Sequence, residues 1–485
     1  MTLKFPASLE SRVPLLCWII VLVTCLLIPV KILSYGYVPV GDARRYVAKA
    51  VTEKEYPQIV ISGSAYHMDF SPGWEWLLRH LHRATGCDED ALMAVSLAGS
   101  LLLILCGPLP WLRYPEAWMA ALLAVNIPFP GLLSRFTQNR PFLVTEAVLI
   151  CVLVSWARDR DPNPSWPKML GACAGFALAT WIHGTWYLYG LALAAFFLAG
   201  WWSETIQLTG CWLAGTLLGA ALTGHPFDFL HQNLAWGRRL AAEAVPVSSL
   251  VGELQPSSGE FEALLVLGFV WLWRKQQRKD LDVFRSPLFW MMALCWTLAL
   301  RAGRFWADWG LPAAMVWLAV QFEDAMRQWW PAAPGRRLAA CALLALPLFF
   351  DSTSDLNGRY SGSLHEVFAD ATADAMAGWM PGPGGIFYSA DFSFFFNTFY
   401  KNPGGDWRYM LGYEPAIMPD EDLKIFRNIQ YNRYAWDAYA PWAAKMRSED
   451  RLEITGDVQP NVPPLEWRHA GGEIWIGRLP QKQSP

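Results

Sequence analysis

Long apolar runs alternate with short charged loops through the first 350 residues of the chain. The first run extends from about Pro14 to Leu33. Others lie near 91–109, 116–134, 141–157, 169–182, 185–202, 205–223, 261–273, 286–301, 305–321 and 337–350. Apolar runs of about 17 to 25 residues read as bilayer-crossing helices. The pattern predicts a polytopic α-helical membrane protein with about eleven transmembrane helices. One or two runs could instead lie along the interface, and the pair around Trp181–Trp186 could be a broken or re-entrant unit. The first run carries Cys25 and Pro29 and lacks a small-x-small cleavage site, so it reads as a retained helix rather than a signal peptide.

The pattern changes after residue 350. Apolar runs shorten, Pro and Gly recur, and charges return. A helix is expected near 362–378, strands near 386–390 and 473–477, a turn at Asn402–Asp406, and an amphipathic helix over 433–451. The division that follows is a transmembrane part, 1–350, with outer loops 34–90 and 224–260, and a carboxy-terminal extramembrane α+β domain, 351–485. Within the first outer loop, 73–84 reads as an amphipathic interfacial helix with Trp74 and Trp76 as anchors.

Loop charges orient these pieces. Cytoplasmic loops are enriched in Lys and Arg. Arg158, Arg160 and Lys168 mark one such loop. Arg274, Lys275, Arg278, Lys279 and Arg285 mark a second, and Arg327, Arg336 and Arg337 a third. All three fall on one side if the amino terminus is cytoplasmic and there are eleven crossings. The same parity puts 34–90, 224–260 and 351–485 outside, which in a bacterium means the periplasmic side of the cytoplasmic membrane.

Composition agrees with this mixture. Charged residues are only 17%, against roughly 25% in soluble domains, while mean hydropathy is a modest +0.19 because the outer pieces dilute the spans. Net charge is −3, so no basic field points to nucleic acid. Eight of the nine cysteines lie in predicted spans, leaving the outer domain without a disulfide framework, and no Cys-x-x-Cys pair marks a zinc or redox centre. There is no Gly-x-Ser-x-Gly, no His-Glu-x-x-His and no phosphate-binding Gly-rich loop, so a cytoplasmic nucleotide site is not supported.

Candidate chemistry collects in the outer segments. Asp42 follows the first span, beside Arg44 and Arg45. It could act as a general base toward an acceptor hydroxyl, and the guanidiniums could hold a lipid phosphate. A solvated interfacial cluster is the plainer reading. Arg140, in Arg135–Pro141, sits on an outer turn against the charge rule and needs a partner such as phosphate or Asp42; Glu146 should face protein or a cation. Trp181, His183 and Trp186 read either as a phosphate or sugar site or as an aromatic belt. Arg304, with Arg301 as an alternative, is a candidate for gripping a lipid-linked phosphate or else pairs with Asp308 or Asp42. His225, Asp228 and His231 are weak metal candidates in a loop that could also be a mobile cover. His67 and His225 count among the substrate-binding candidates. So do Tyr388 and Trp407, which either recognise an acceptor carbohydrate or pack the domain.

The architecture and a few short motifs resemble the GT-C class of multi-span, lipid-linked-sugar glycosyltransferases. The matching features are an outer first loop opening on Asp42, about eleven spans, the Arg304-Phe305 step, the Asn139-Arg140-Pro141-Phe142 stretch, and an outer carboxy-terminal domain. The resemblance implies a polyprenyl-phosphate-linked sugar donor used on the exoplasmic face. It casts Asp42 as catalytic base or acceptor-positioning acid, and arginines near the membrane surface as donor-phosphate ligands. Many members carry two acids or an Asp-x-Asp pair in the first loop. Here Asp42 is followed by Ala43 and Arg44, with Asp69 as the candidate second acid. That departure weakens the case for a divalent cation and for oligosaccharide transfer to asparagine. It leaves sugar transfer to a lipid, polysaccharide or protein acceptor, with inversion if the displacement is single. The rival readings are a polysaccharide or lipid transporter and a non-catalytic membrane component of an envelope polysaccharide machine.

Overall fold

The structure is a computed structural model; residues 11–63, 69–128, 130–242, 255–257, 261–277, 282–330 and 334–480 are described. Each of the eleven apolar runs is helical. Several are shorter than a bilayer because Pro and Gly interrupt them: the run 116–134 becomes Glu116–Asn126 and Pro130–Phe136, and 185–202 becomes a 3₁₀ turn, Trp186–Tyr189, followed by Gly190–Leu198. By length and apolarity, Val13–Leu33 and Glu89–Trp111 suffice to cross a membrane. The pair Trp202–Ala221 and Pro226–Arg238, bent by 109°, makes a third if it counts as one span. Phe142–Trp156, Trp186–Leu198 and Pro287–Ala299 are apolar but shorter.

The chain divides into two compact units. The first comprises Met1–Tyr35 and Leu97–Arg359; the second comprises Gly36–Ser96 and Tyr360–Pro485. The first polar loop thus belongs with the carboxy-terminal part, not with the helices that flank it in sequence.

In the first unit, helix Trp202–Ala221 packs along Trp166–Ile182. Gly215 and Gly219, one turn apart, allow it. A Cβ on Gly215 would stand 2.5 Å from the Cys173 carbonyl oxygen, and one on Gly219 would stand 2.3 Å from that of Ala177. Small residues at this spacing let helix backbones touch where no hydrophobic effect drives association. One end of the unit is tied by ion pairs. Arg158 pairs with Glu323 at 2.9 Å, and Arg274 pairs with Asp324 at 3.4 Å, both acids near the end of helix Leu311–Trp329. Arg337 and Glu116 form a further buried pair at 2.6 Å. Two of the loops marked as cytoplasmic by their charge thus meet at one helix end, from which the third continues. Arg278 and Lys279 lie outside the described residues.

The second unit is built on a five-stranded mixed sheet: β1 (Gly385–Tyr388), β2 (Trp407–Tyr409), β3 (Arg451–Thr455), β4 (Glu466–Gly471) and β5 (Ile474–Arg478), in the order β2-β1-β3-β5-β4. β1 runs parallel to β2 and β3, while β5 is antiparallel to β3 and β4. Ile61 donates its backbone N–H to the Tyr409 carbonyl at 2.9 Å, and Gly63 donates to Ile417 at 2.7 Å, so the first polar loop lines the β2 edge. Phe387, Phe394, Phe395, Phe399 and Tyr409 form an aromatic core on one side.

Two expected helices are absent. Over 362–378 the backbone is drawn into turns because Asn402 takes its hydrogen bonds: Nδ2 donates to the Ala369 carbonyl and Oδ1 accepts from the Ala371 N–H, each at 2.7 Å. Over 433–451, left-handed Arg433 and Tyr434 (φ 52° and 60°) stop the pattern, leaving a 3₁₀ turn, Trp436–Tyr439, and the short helix Ala440–Lys445. Helix Pro72–Thr85 forms as expected, but Trp74 is buried and only Trp76 is exposed.

Replacing Gly219 with Leu forces a side chain onto the Ala177 carbonyl. Overpacking of this kind costs about 1–3 kcal/mol. The thermal midpoint in detergent should fall; an unchanged midpoint would show that the two helices do not depend on close approach there.

Candidate functional site

In the second unit, helix Asp42–Thr52 begins after Gly41, whose φ of 79° suits glycine, and puts Asp42 at its positive end. Arg45 and Lys49 follow one turn apart on the buried face. Arg45 donates to Asp42 at 2.9 Å and to the Tyr46 hydroxyl at 2.7 Å, and it also bonds Tyr56. The Tyr413 ring lies 4.1 Å from its guanidinium. Tyr46 donates to Ser71 at 2.9 Å, whose N–H donates to Asp69 at 2.8 Å. Lys49 closes the chain, donating to Asp69 at 2.9 Å and Glu75 at 2.5 Å. Asp42 and Asp69, twenty-seven positions apart in sequence (69 − 42), are therefore joined by one hydrogen-bonded chain.

The electrostatics separate these acids. Burial raises the Asp69 carboxyl, but Lys49, the Glu75 hydrogen bond, Arg45 and the Ser71 N–H together outweigh it and hold the group well below the usual range. Glu75 goes the other way: burial and then the Asp69 charge push it well up. Burial draws the Lys49 ammonium down, and Asp69 and Glu75 more than reverse it, so it stays charged. The Asp42 side chain keeps 29% exposure at the open end of the chain.

Arg44 is different from its neighbour. It is fully buried and bonds Glu366, Asn397 and the Pro39 carbonyl, so it anchors the fold. His67 lies outside the described residues.

The first unit holds a second cluster. Asp308, fully buried in a π-helical turn, Trp306–Gly310, accepts two bonds from Arg135 at 2.5 and 2.8 Å and one from Arg304 at 2.7 Å. Such turns recur at functional sites. Arg304 also stands over Phe142, 5.2 Å from the ring centroid. His183 meets the same ring edge-on at 5.4 Å and bonds Thr185 at 2.8 Å. Glu146 is buried with neither carboxylate oxygen bonded among the described residues; the charges acting on it are Asp308, Arg135 and Arg304. Arg140 is half-buried and Arg301 exposed.

Other candidates take structural positions. Tyr388 is buried against Trp442, 5.8 Å between centroids, and Trp407 is half-buried, donating to the Tyr409 hydroxyl at 3.1 Å; both pack within the domain. Trp186 stacks on Trp212 at 5.9 Å, and Trp181 is half-buried. His225, Asp228 and His231 are each exposed, and among the described residues no three His, Cys, Asp or Glu side chains converge to hold a metal ion. Lys49, Glu75, Tyr46 and Tyr413 were not picked out by the sequence. Only a period-four pattern of cations on a short amphipathic helix hinted at the first.

No family model matches the chain, and no curated protein matches it. Among solved structures the chain is similar to an Archaeoglobus fulgidus oligosaccharyltransferase in complex with Zn and sulfate. The identity is 12% and the TM-score 0.46, with 90% of this chain and 68% of that chain covered.

Two outcomes follow from the second unit. Replacing Lys49 with Met leaves buried Asp69 without its counter-ion, which costs about 3–5 kcal/mol. The melting point of the full-length protein should fall steeply, and adding Glu75→Gln should recover little of it. The other concerns Glu453 on β3, which burial, then the Asp391 charge, push up to about 8. The folded carboxyl keeps a proton that the unfolded chain releases near pH 4.3, so this contribution is complete below that pH. It is lost as pH rises to about 8, at about 1.4 kcal/mol per pH unit. A Glu453→Gln variant should show a flatter stability profile across that window; parallel profiles would rule out the assignment.

Proposed function

We propose that the protein is an inverting glycosyltransferase of the bacterial cytoplasmic membrane. It moves a sugar from a polyprenyl-phosphate donor to a lipid, polysaccharide or protein acceptor on the exoplasmic face. In this reading the helices make about eleven crossings with the amino terminus inside, and 34–90, 224–260 and 351–485 lie outside. Supporting the orientation, Arg158 and Arg274 meet the acids Glu323 and Asp324 near one end of a helix. Asp308 lies fifteen residues earlier (323 − 308), or roughly 22 Å at 1.5 Å per residue. Charge at both ends and a buried apolar stretch between them suit a helix inside a membrane bundle.

The observation that carries the reading is the chain Asp42–Arg45–Tyr46–Ser71–Asp69–Lys49, in which a half-exposed carboxylate stands at the end of an ordered set of buried partners. Asp42 serves as the base. The acceptor oxygen forms a bond to the anomeric carbon, the bond from that carbon to the phosphate oxygen breaks, and the acceptor proton passes to the carboxylate. Polyprenyl phosphate leaves with the electron pair. Arg45 orients Asp42 through its hydrogen bond, and Lys49 helps keep Asp69, the second acid, ionised. Arg304 is the leading donor-phosphate ligand: its side chain is 31% exposed, and it shares a single carboxylate with Arg135. Planar guanidiniums grip phosphate well. Arg140 and His183 complete the candidates in that unit.

The test is transfer of labelled sugar from a synthetic polyprenyl-phosphate donor by the purified full-length protein. An Asp42→Asn variant should lose about 10²–10⁴ in turnover, while Arg304→Gln should raise the KM for donor. Normal turnover with Asn at position 42 would remove it as base, and no transfer by folded protein would sink the whole reading.

A further inference from the structure

We propose that the carboxy-terminal sheet carries a binding site for neutral carbohydrate, in the crevice at the carboxyl ends of β1 and β3. The site does not rest on the transfer reaction. From β1 the chain passes through helix Phe392–Lys401 to β2, its parallel neighbour on one side. From β2 it passes through helices Asp420–Tyr431 and Ala440–Lys445 to β3, its parallel neighbour on the other. The connections diverge around β1. In open α/β sheets a crevice forms outside the carboxyl ends of the strands at such a switch point, and ligands bind there.

The groups at that point choose the ligand. Ser389 and Asp391 follow β1, and Glu453 and Thr455 lie on β3. The Ser389 hydroxyl donates to Glu453 at 2.6 Å, and the Thr455 hydroxyl lies 2.8 Å from Glu453 and 3.3 Å from Asp391. Asp391 also accepts from the Ser393 N–H at 2.8 Å, capping helix Phe392–Lys401. A carboxylate therefore already sits where a nucleotide phosphate would bind, and the described bonds of this network come from hydroxyls and backbone rather than cations. An anionic ligand is disfavoured. A polyol, which offers hydroxyl donors to Asp391 and acceptors to Thr455, is not.

Beside this crevice stands an exposed aromatic loop. Tyr431, Tyr434 and Trp436 are 77%, 49% and 38% exposed. Tyr434 and the preceding Arg433 adopt left-handed backbone, which non-glycine residues do at a cost, and the turn is held by Arg433 N–H to Gln430 at 3.1 Å and Tyr434 N–H to Ile429 at 2.9 Å. Tyr439, at the other end of the Trp436–Tyr439 turn, is the link to the crevice: it packs in one buried cluster with Ala390 and Ile454, which stand between the crevice residues in sequence. Aromatic faces suit the C–H faces of sugar rings, and the carboxylate and hydroxyls suit the ring substituents. The intervening Asn432, Arg433 and Asp437 are polar and exposed, unlike the continuous apolar face of a membrane anchor.

Saturation-transfer NMR of the full-length protein tests this, in a polyoxyethylene detergent that carries no sugar, with cellohexaose and chitohexaose as probes. We expect transfer to at least one probe. Tyr434→Ala and Trp436→Ala, both at exposed positions, should each weaken binding at least tenfold with the thermal midpoint unchanged, and Asp391→Asn should do the same. Any of three results would overturn the proposal: no transfer to either probe from folded protein, equal binding in both aromatic variants, or tighter binding of a hexose phosphate. Trp436-dependent retention on phosphatidylglycerol vesicles without glycan binding would make the loop a lipid anchor instead. Asp42→Asn should leave glycan binding unchanged, which separates failure here from failure of the transferase reading.

Discussion

A charge taken out of water must be neutralised where it lies, and that requirement organises both units. Helix Asp42–Thr52 carries three buried cations, Arg44, Arg45 and Lys49. Each is tolerated only because another segment brings an acid or an oxygen to it: Glu366 and Asn397 to Arg44, Tyr56 to Arg45, Asp69 and Glu75 to Lys49. Breaking a buried pair leaves an uncompensated charge, so these contacts define which segments belong together. They explain why residues 36–96 are compact with 360–485. The Arg44 partners Glu366 and Asn397 lie 322 and 353 positions away in sequence, and the first loop also lines the β2 edge.

The same rule gives the first unit its polarity. Acids on helix Leu311–Trp329 collect arginines from two loops near its end, while Asp308, at the opposite end, collects Arg135 and Arg304. Between them the helix is apolar and buried, and elsewhere in the unit helices Trp166–Ile182 and Trp202–Ala221 approach closely at Gly215 and Gly219. In the proposed reading, the charges at one end orient the protein and those at the other meet an anionic headgroup. Arg304 fits the second role because it is partly exposed while its partner is wholly buried.

Residues that look equivalent in sequence part company once their neighbours are known. Arg44 and Arg45 are adjacent, yet the first is enclosed by Glu366 and Asn397 while the second faces Asp42 and a tyrosine cage. Tyr388 and Trp407 sit in aromatic-rich segments that resemble recognition surface, but the sheet carries a core cluster on each face and each of the two side chains packs into one of them. The exposed ring of Tyr431 ends one helix, and those of Tyr434 and Trp436 lie beyond it, where a further helix was expected. Its periodicity was real, but left-handed backbone at Arg433 and Tyr434 interrupted it. The turn-rich 362–378 segment shows the same override, since Asn402 offered its backbone better partners than a helix ladder would.

Apolar periodicity located the long apolar helices, because a helix that buries apolar surface must repeat its pattern locally; it missed Pro226–Ala242, in what was read as an outer loop, and Asp420–Tyr431, which are more polar. It was enough, too, to set the loop charges apart and to separate the final 135 residues (485 − 350) by composition. Asp42 and Arg304 were legible as charges in unusual places. Their partners were not. A single sequence does not encode which distant acid meets which cation, since pairing depends on chain reversals fixed by many weak contacts at once. The tertiary structure alone joined Asp42 to Asp69, enclosed Lys49 between two acids, and placed Arg135 and Arg304 on one carboxylate. Low-dielectric surroundings make those long-range pairings decisive.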